Sequence, residues 1–144
     1  MEPFSMELQI RWSDLDPNFH LRHSVYYDWG ALCRVSFLNK YGLTAAVMIR
    51  LQLGPILFRE ECVFRKEVRS IDTVSIDLKL LRARADYSRW SIQHEIRKAD
   101  GIVCAVLTVD GAWMHTVQRK LATPPQEVHA VFEEMPKSDA FEWM

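Results

Sequence analysis

The order of its elements predicts an α+β domain, with one long helix against a curved antiparallel sheet of five strands and a short C-terminal helix. Three observations carry the prediction. Met6, Leu8, Ile10 and Trp12 alternate with Glu7, Gln9 and Arg11, the period of a strand buried on one face. Tyr26, Trp29, Cys33 and Phe37 then recur at helical spacing. Residues 56–68, 73–84, 88–98 and 102–117 follow as four runs rich in β-branched and aromatic side chains, separated by short polar joints.

Local signals set the boundaries. Ser24 is a plausible helix N-cap, and Lys40 before Gly42 is a stop, giving roughly four turns. Asp28 is expected in the first turn, where its charge favours the helix dipole. Residues 44–53, between Gly42 and Gly54-Pro55, receive no assignment. Asp100-Gly101 is a tight-hairpin signal. Asp110-Gly111 lies inside the last run, where a bulge or bend is expected. Pro124-Pro125 before residues 126–134 predicts a terminal helix with Pro125 at its first position. The chain reads as one domain over residues 1–144. Its tail, 136–144, is expected to be loose, with Phe141 and Trp143 able to dock on a neighbour. One helix covers little of such a sheet, so pairing with a second copy is expected, as a homodimer or homotetramer.

Composition narrows the function. The 144 residues carry 18 basic and 19 acidic side chains, a net charge of −1, which gives no global case for nucleic acid or an anionic membrane. Three scattered cysteines, Cys33, Cys62 and Cys104, fit neither a disulfide framework nor a zinc knuckle and point to a reducing compartment. The N-terminus lacks a basic-then-apolar leader, and no apolar run approaches the ~20 residues that span a bilayer. A soluble cytoplasmic protein is the expectation.

The chemistry concentrates in Asp14-Leu15-Asp16-Pro17-Asn18-Phe19-His20, between the first strand and the long helix. A carboxylate there shares a small volume with the free N–H groups of a helix start. A base or nucleophile thus stands beside an oxyanion binder worth about 2.7–4 kcal/mol. The residues alone allow a second reading, in which Asp14 and Asp16 organise a turn. His20 either bonds Asp16 or the start of the helix, or is satisfied within the turn. Tyr26, Trp29 and Phe37 either line a pocket or form core.

The run from Arg11 to Tyr26, with Trp29, Phe37-Leu38 and Gly42, resembles the acyl-CoA thioesterases of the 4-hydroxybenzoyl-CoA thioesterase type. Their pattern is Asp-x-Asp, three residues, often His, and then a helical Tyr. Phe64, Asp72 and Pro125 extend the likeness, which spans roughly Leu8 to Pro125. Phe19, Arg22 and His23 depart from it, standing where the family often has Gly and paired Asn. The resemblance implies a hotdog fold, hydrolysis of an acyl-CoA with Asp16 as nucleophile or general base, and the His23 backbone N–H as oxyanion binder. It places His20 beside the carboxylate and Tyr26, Arg22 and Trp29 on the substrate side. It implies no cofactor. An acyl carrier protein is a further candidate partner.

Other chemistries have specific shortfalls. A calcium loop from Asp14 would need Gly where Phe19 stands and Glu where Val25 stands, and zinc finds no clear fourth ligand beside His20 and His23, so no metal is expected. Hotdog enoyl-CoA hydratases carry Asp-x-Asn-Pro-x-His. Here Asp replaces Asn before the proline, and one extra residue precedes His20. A non-enzymatic acyl-CoA binding module also remains open. For CoA phosphates, Arg59, Arg65, Lys66, Arg69, Arg119 and Lys120 are candidates, and Arg82, Arg84 and Arg89 are the preferred cluster. A solvated basic rim is the alternative.

Overall fold

The computed structural model describes residues 2–144 and shows an α+β hotdog fold, a curled sheet wrapped on a long helix. The strands are β1 (Ser5–Leu8), β2 (Leu53–Phe64), β3 (Val74–Asp77), β4 (Lys79–Ala83), β5 (Arg89–Lys98), β6 (Val103–His115), β7 (Lys120–Leu121) and β8 (Lys137–Trp143). The helices are α1 (His23–Lys40), α2 (Ala45–Leu51) and α3 (Gln126–Glu133). The expected strand 73–84 bends at buried Leu78 into β3 and β4, both antiparallel to β5. At the bend the Asp77 carboxylate takes the Glu95 N–H at 2.7 Å, replacing a ladder bond. From β5 the sheet continues through β6 to β2, and β7 adds a short pair on β6.

The first strand is shorter than the alternation suggests. Asp14 takes the Arg11 N–H at 2.9 Å and the Arg11 guanidinium at 3.0 Å, turning residues Trp12–Asp14 into a single 3-10 turn. Trp12 is therefore 80% exposed instead of buried. Helix α1 runs 18 residues, about five turns, and starts one residue before Ser24, with Arg22 at the N-cap position. Asp28, expected in the first turn, lies in the second. Residues Ala45–Leu51, unassigned from sequence, form a helix because the Thr44 side chain accepts the Val47 N–H. Pro125 is the N-cap of α3, not its first residue.

The tail is not loose. β8 pairs in parallel with β4, and the Trp143 ring lies 6.0 Å from Tyr87, docking within its own chain. β1 and β8 divide one edge between them: Phe4 accepts the Leu78 N–H and Pro136 accepts the Leu80 N–H. The Asp100-Gly101 hairpin holds, with Gly101 at φ +90°.

The expected irregularity at Asp110-Gly111 sits across the ladder. Leu57 is opposite Gly111 and Arg59 opposite Asp110, so Phe58 is an extra residue in β2. The bulge resets which side chains meet α1. Pro55 and Leu57 do so before it, and Glu60 and Phe64 after it, with Glu60 reaching Arg34 and Phe64 reaching Tyr26. Opposite Leu57, a Cβ on Gly111 would stand 2.4 Å from the Trp90 ring, so the close approach requires glycine. The core lies between α1 and the sheet, around Phe37, Ile76, Leu80, Ile96, Leu107, Trp113 and Phe132.

Candidate active site

Residues 15–21 form a small closed loop. Leu15 bridges Leu21, the Asp16 N–H donates to the His20 carbonyl at 2.8 Å, and the Phe19 N–H donates to the Asp16 carbonyl at 2.9 Å. The turn leaves Phe19 at φ +63°, a left-handed conformation that favours glycine, and its ring packs 5.8 Å from Trp12. The loop is tied to the strand side by the Leu21 N–H, which donates to the Val68 carbonyl.

This closure aims Asp16. Its Oδ1 accepts the Asn18 N–H at 2.8 Å and the His20 N–H at 3.1 Å. Both bonds fall on one oxygen, leaving Oδ2 without a partner among the described residues. The half-buried carboxylate lines a cleft of about 370 Å³ with His20, His23, Tyr26, Phe64, Arg65, Lys66 and Glu67. His23 opens α1, and no side chain among the described residues caps that end, so first-turn N–H groups stand beside the cleft ready for an outside acceptor. Asp14 is a different kind of group. It is buried, and although burial pushes its carboxyl upward, hydrogen bonds and charge from Arg11, with charge from Arg22, hold it below the usual range. It braces the turn and does not line the cleft.

Sequence reasoning brings Asp16, His20, His23 and Tyr26 to one cleft and misplaces others. The His20 side chain meets Glu67, Nε2 to Oε2 at 3.3 Å, while only its backbone meets Asp16. Tyr26 is 3% exposed, stacks edge-on to Phe64 at 4.9 Å, and burial pushes its phenol up to about 12, so it stays protonated. Trp29 and Phe37 belong to the core. Arg22 donates to Ser24 Oγ at 2.6 Å and to the Ser13 carbonyl, outside the cleft lining.

Arg82, Arg84 and Arg89 lie beside the Trp90 end of the sheet, whereas the cleft adjoins Phe64, at the far end of β2. Seven residues of strand, from Leu57 to Phe64, give a separation of roughly 20 Å. Arg89 is occupied there, 4.9 Å over the Phe58 ring. The cations that reach the cleft are Arg65 and Lys66. Among the described residues no group of three His, Cys, Asp or Glu side chains is placed to hold a metal, and no helix is long and apolar enough to cross a membrane.

One cluster was missed. His94 is fully buried, its Nδ1 donates to the Asp77 carbonyl at 2.8 Å, and its Nε2 faces Arg34 at 3.1 Å. Burial, then the Arg34 charge, pushes the imidazole down to about 3, so it is neutral. The available signal was its place between inward-facing Ile92 and Ile96 on one phase of β5.

Residues 10–132 match the family model of the thioesterase-like superfamily. No curated protein matches the sequence. Among solved structures, a 1,4-dihydroxy-2-naphthoyl-CoA thioesterase from Synechocystis is similar at 18% identity and TM-score 0.81, over 92% of this chain and 97% of that one. A hypothetical protein from Staphylococcus aureus in complex with CoA shares 16% identity at TM-score 0.83, over 95% and 88%. A hypothetical protein from Aquifex aeolicus shares 21% at TM-score 0.81, over 90% and 98%. At these identities the likeness establishes the fold.

Proposed function

We propose, on the premise that this chain belongs to the thioesterase-like superfamily and is a thioester hydrolase, that it cleaves acyl-CoA thioesters with Asp16 as the acting carboxylate. The observation that carries the reading is the Asp16 side chain, fixed through Oδ1 and, among the described residues, without a partner at Oδ2, in the same cleft as a start of α1 that none of those residues' side chains caps. Asp16 takes a proton from the water that attacks the thioester carbon, or attacks that carbon itself to give an acyl anhydride that water then hydrolyses to the free acid. The carbonyl oxygen becomes anionic and is met by the His23 N–H, and the C–S bond breaks to release the thiolate. Tyr26 and Phe64 offer an aromatic wall for the acyl group near the carbonyl. Arg65 and Lys66 suit the phosphates of CoA, and the CoA held by the Staphylococcus aureus structure of the same fold supports that ligand class.

The working unit in this reading is a homodimer. Among the described residues β2 pairs with β6 alone, which leaves its other edge without a partner strand over 12 residues, and Leu57, Phe58, Val63 and Phe64 are each 42–53% exposed along it. A long apolar edge of this kind is covered in stable proteins, most simply by its own copy across a twofold axis.

Release of free thiol from a panel of acyl-CoA esters, and from the same acyl groups on a carrier protein, tests the reading. Thiol release that requires CoA is the expected result. Loss of crotonyl-CoA absorbance without thiol would make the protein a hydratase, and saturable binding with neither would make it a binding module.

A further inference from the structure

A second carboxylate lines the Asp16 cleft. Glu67 stands on the segment that the Leu21 N–H ties to Val68, and its Oε2 lies 3.3 Å from His20 Nε2. Its other oxygen faces Arg69 Nε at 3.9 Å. An ionised carboxylate can only accept, so Nε2 carries the ring hydrogen and Nδ1 keeps a lone pair. Nothing among the described residues hydrogen-bonds Nδ1. The ring is joined to Asp16 through its own backbone, whose N–H meets Oδ1 at 3.1 Å. A bare imidazole nitrogen with a carboxylate behind the other nitrogen is an arrangement that accepts a proton during acyl transfer. His23 lines the same cleft, but no carboxylate among the described residues contacts its ring.

The two routes open to Asp16 use such a base differently. If Asp16 deprotonates the attacking water, one carboxylate completes the reaction and the His20–Glu67 pair has no task. If Asp16 attacks, its carboxylate is tied up in the acyl anhydride, and the water that follows needs another acceptor for its proton. The pair offers one in the same cleft.

We infer that the second route operates, with His20 as the catalytic base of anhydride hydrolysis and Glu67 as the positioning residue that holds its ring. The inference rests on acyl-CoA hydrolysis with Asp16 as the acting carboxylate. In the first half, Asp16 Oδ2 bonds the acyl carbon and the C–S bond breaks, releasing the thiolate. In the second, the water oxygen bonds the acyl carbon and one water proton passes to His20 Nδ1. The bond to Asp16 breaks, its electron pair returns to the carboxylate, the acid leaves, and Nδ1 gives its proton to solvent.

Stopped-flow thiol detection at micromolar enzyme tests this, with benzoyl-CoA or hexanoyl-CoA, whichever the wild type hydrolyses faster. Thiol is released in the first half alone, so slowing the second gives a burst approaching one thiol per site. Glu67→Gln and His20→Ala should each show that burst where the wild type does not. Their kcat should fall by up to about tenfold, with KM lower in proportion and kcat/KM unchanged. The loss stays small because an anhydride is a more reactive acyl donor than a thioester. Hydroxylamine, which attacks an anhydride without a base, should restore kcat in both variants and yield the acyl hydroxamate. A merely structural loss would lower kcat/KM instead. A fall in kcat and kcat/KM together with no burst, wild-type kinetics in both variants, or no recovery with hydroxylamine would each overturn the inference and leave Asp16 as a base. Thiol release absent from the wild type would overturn it together with the acyl-CoA reading.

Discussion

Arg34 Nη1 lies 3.1 Å from His94 Nε2, and that contact fixes the tautomer of a buried histidine. The Asp77 carbonyl can only accept, so Nδ1 carries the hydrogen, and the guanidinium can only donate, so Nε2 must be bare. Protonating Nε2 would set two donors against each other inside the core.

Stability should therefore depend on pH through His94. Its folded value, about 3, lies below the ordinary 6.5, so the unfolded chain takes up a proton that the folded one refuses. The contribution is complete above pH 6.5 and is lost as pH falls from there toward 3, by at most about 1.4 kcal/mol per pH unit. Urea midpoints from pH 7 to 4 should fall more steeply in the wild type than in His94→Gln; parallel profiles would show that the imidazole does not act this way.

Asp16→Asn keeps an oxygen for the Asn18 and His20 N–H groups, so the loop should survive while the anion is lost. Turnover should drop at least about 100-fold with the thermal midpoint unchanged. Activity near that of the wild type would remove Asp16 from the reaction.

His20→Ala deletes the contact with Glu67 but leaves the backbone bond to Asp16, so a partial loss of turnover, within about tenfold, is expected. Activity should also persist after exhaustive dialysis against EDTA. Loss to the chelator with recovery on adding a divalent ion would assign His20 and His23 a different role.

Gly111→Ala places a methyl group into the Trp90 ring and the Ile56 carbonyl, at 2.4 and 2.6 Å. Overpacking of this kind costs about 1–3 kcal/mol, readable as a lower denaturant midpoint. Wild-type stability in this variant would mean that the indole moves aside freely.

Val63→Lys puts a charge on the unpaired β2 edge. Sedimentation at low micromolar concentration should show a dimer for the wild type and a monomer for the variant. A wild-type monomer with full activity would reject the dimer.

Helix α1 was legible because its buried positions, Tyr26, Trp29, Cys33 and Phe37, repeat on a single helical stripe. The Asp100-Gly101 turn was legible because positive φ asks for glycine. What stayed hidden depends on partners distant in the chain. α2 buries none of its residues fully, so no apolar stripe marks it. β8 is mostly charged or exposed and is held by pairing with β4, over fifty residues upstream. Within the site, Asp16 stood out by its place before the helix, but Glu67 reaches His20 only because His20 bridges Arg69.

The extra residue at Phe58 also constrains how β2 can change in length. Side chains alternate along a strand, so losing one residue between Leu57 and Arg59 would exchange the outward set, Arg59, Glu61 and Val63, for the inward set, Glu60, Cys62 and Phe64. Two charges and a valine would then confront α1, and Phe64 would leave Tyr26. Insertions and deletions in this strand should thus be tolerated only in even steps, or in complementary pairs that restore the reading phase of the side chains before the cleft is reached.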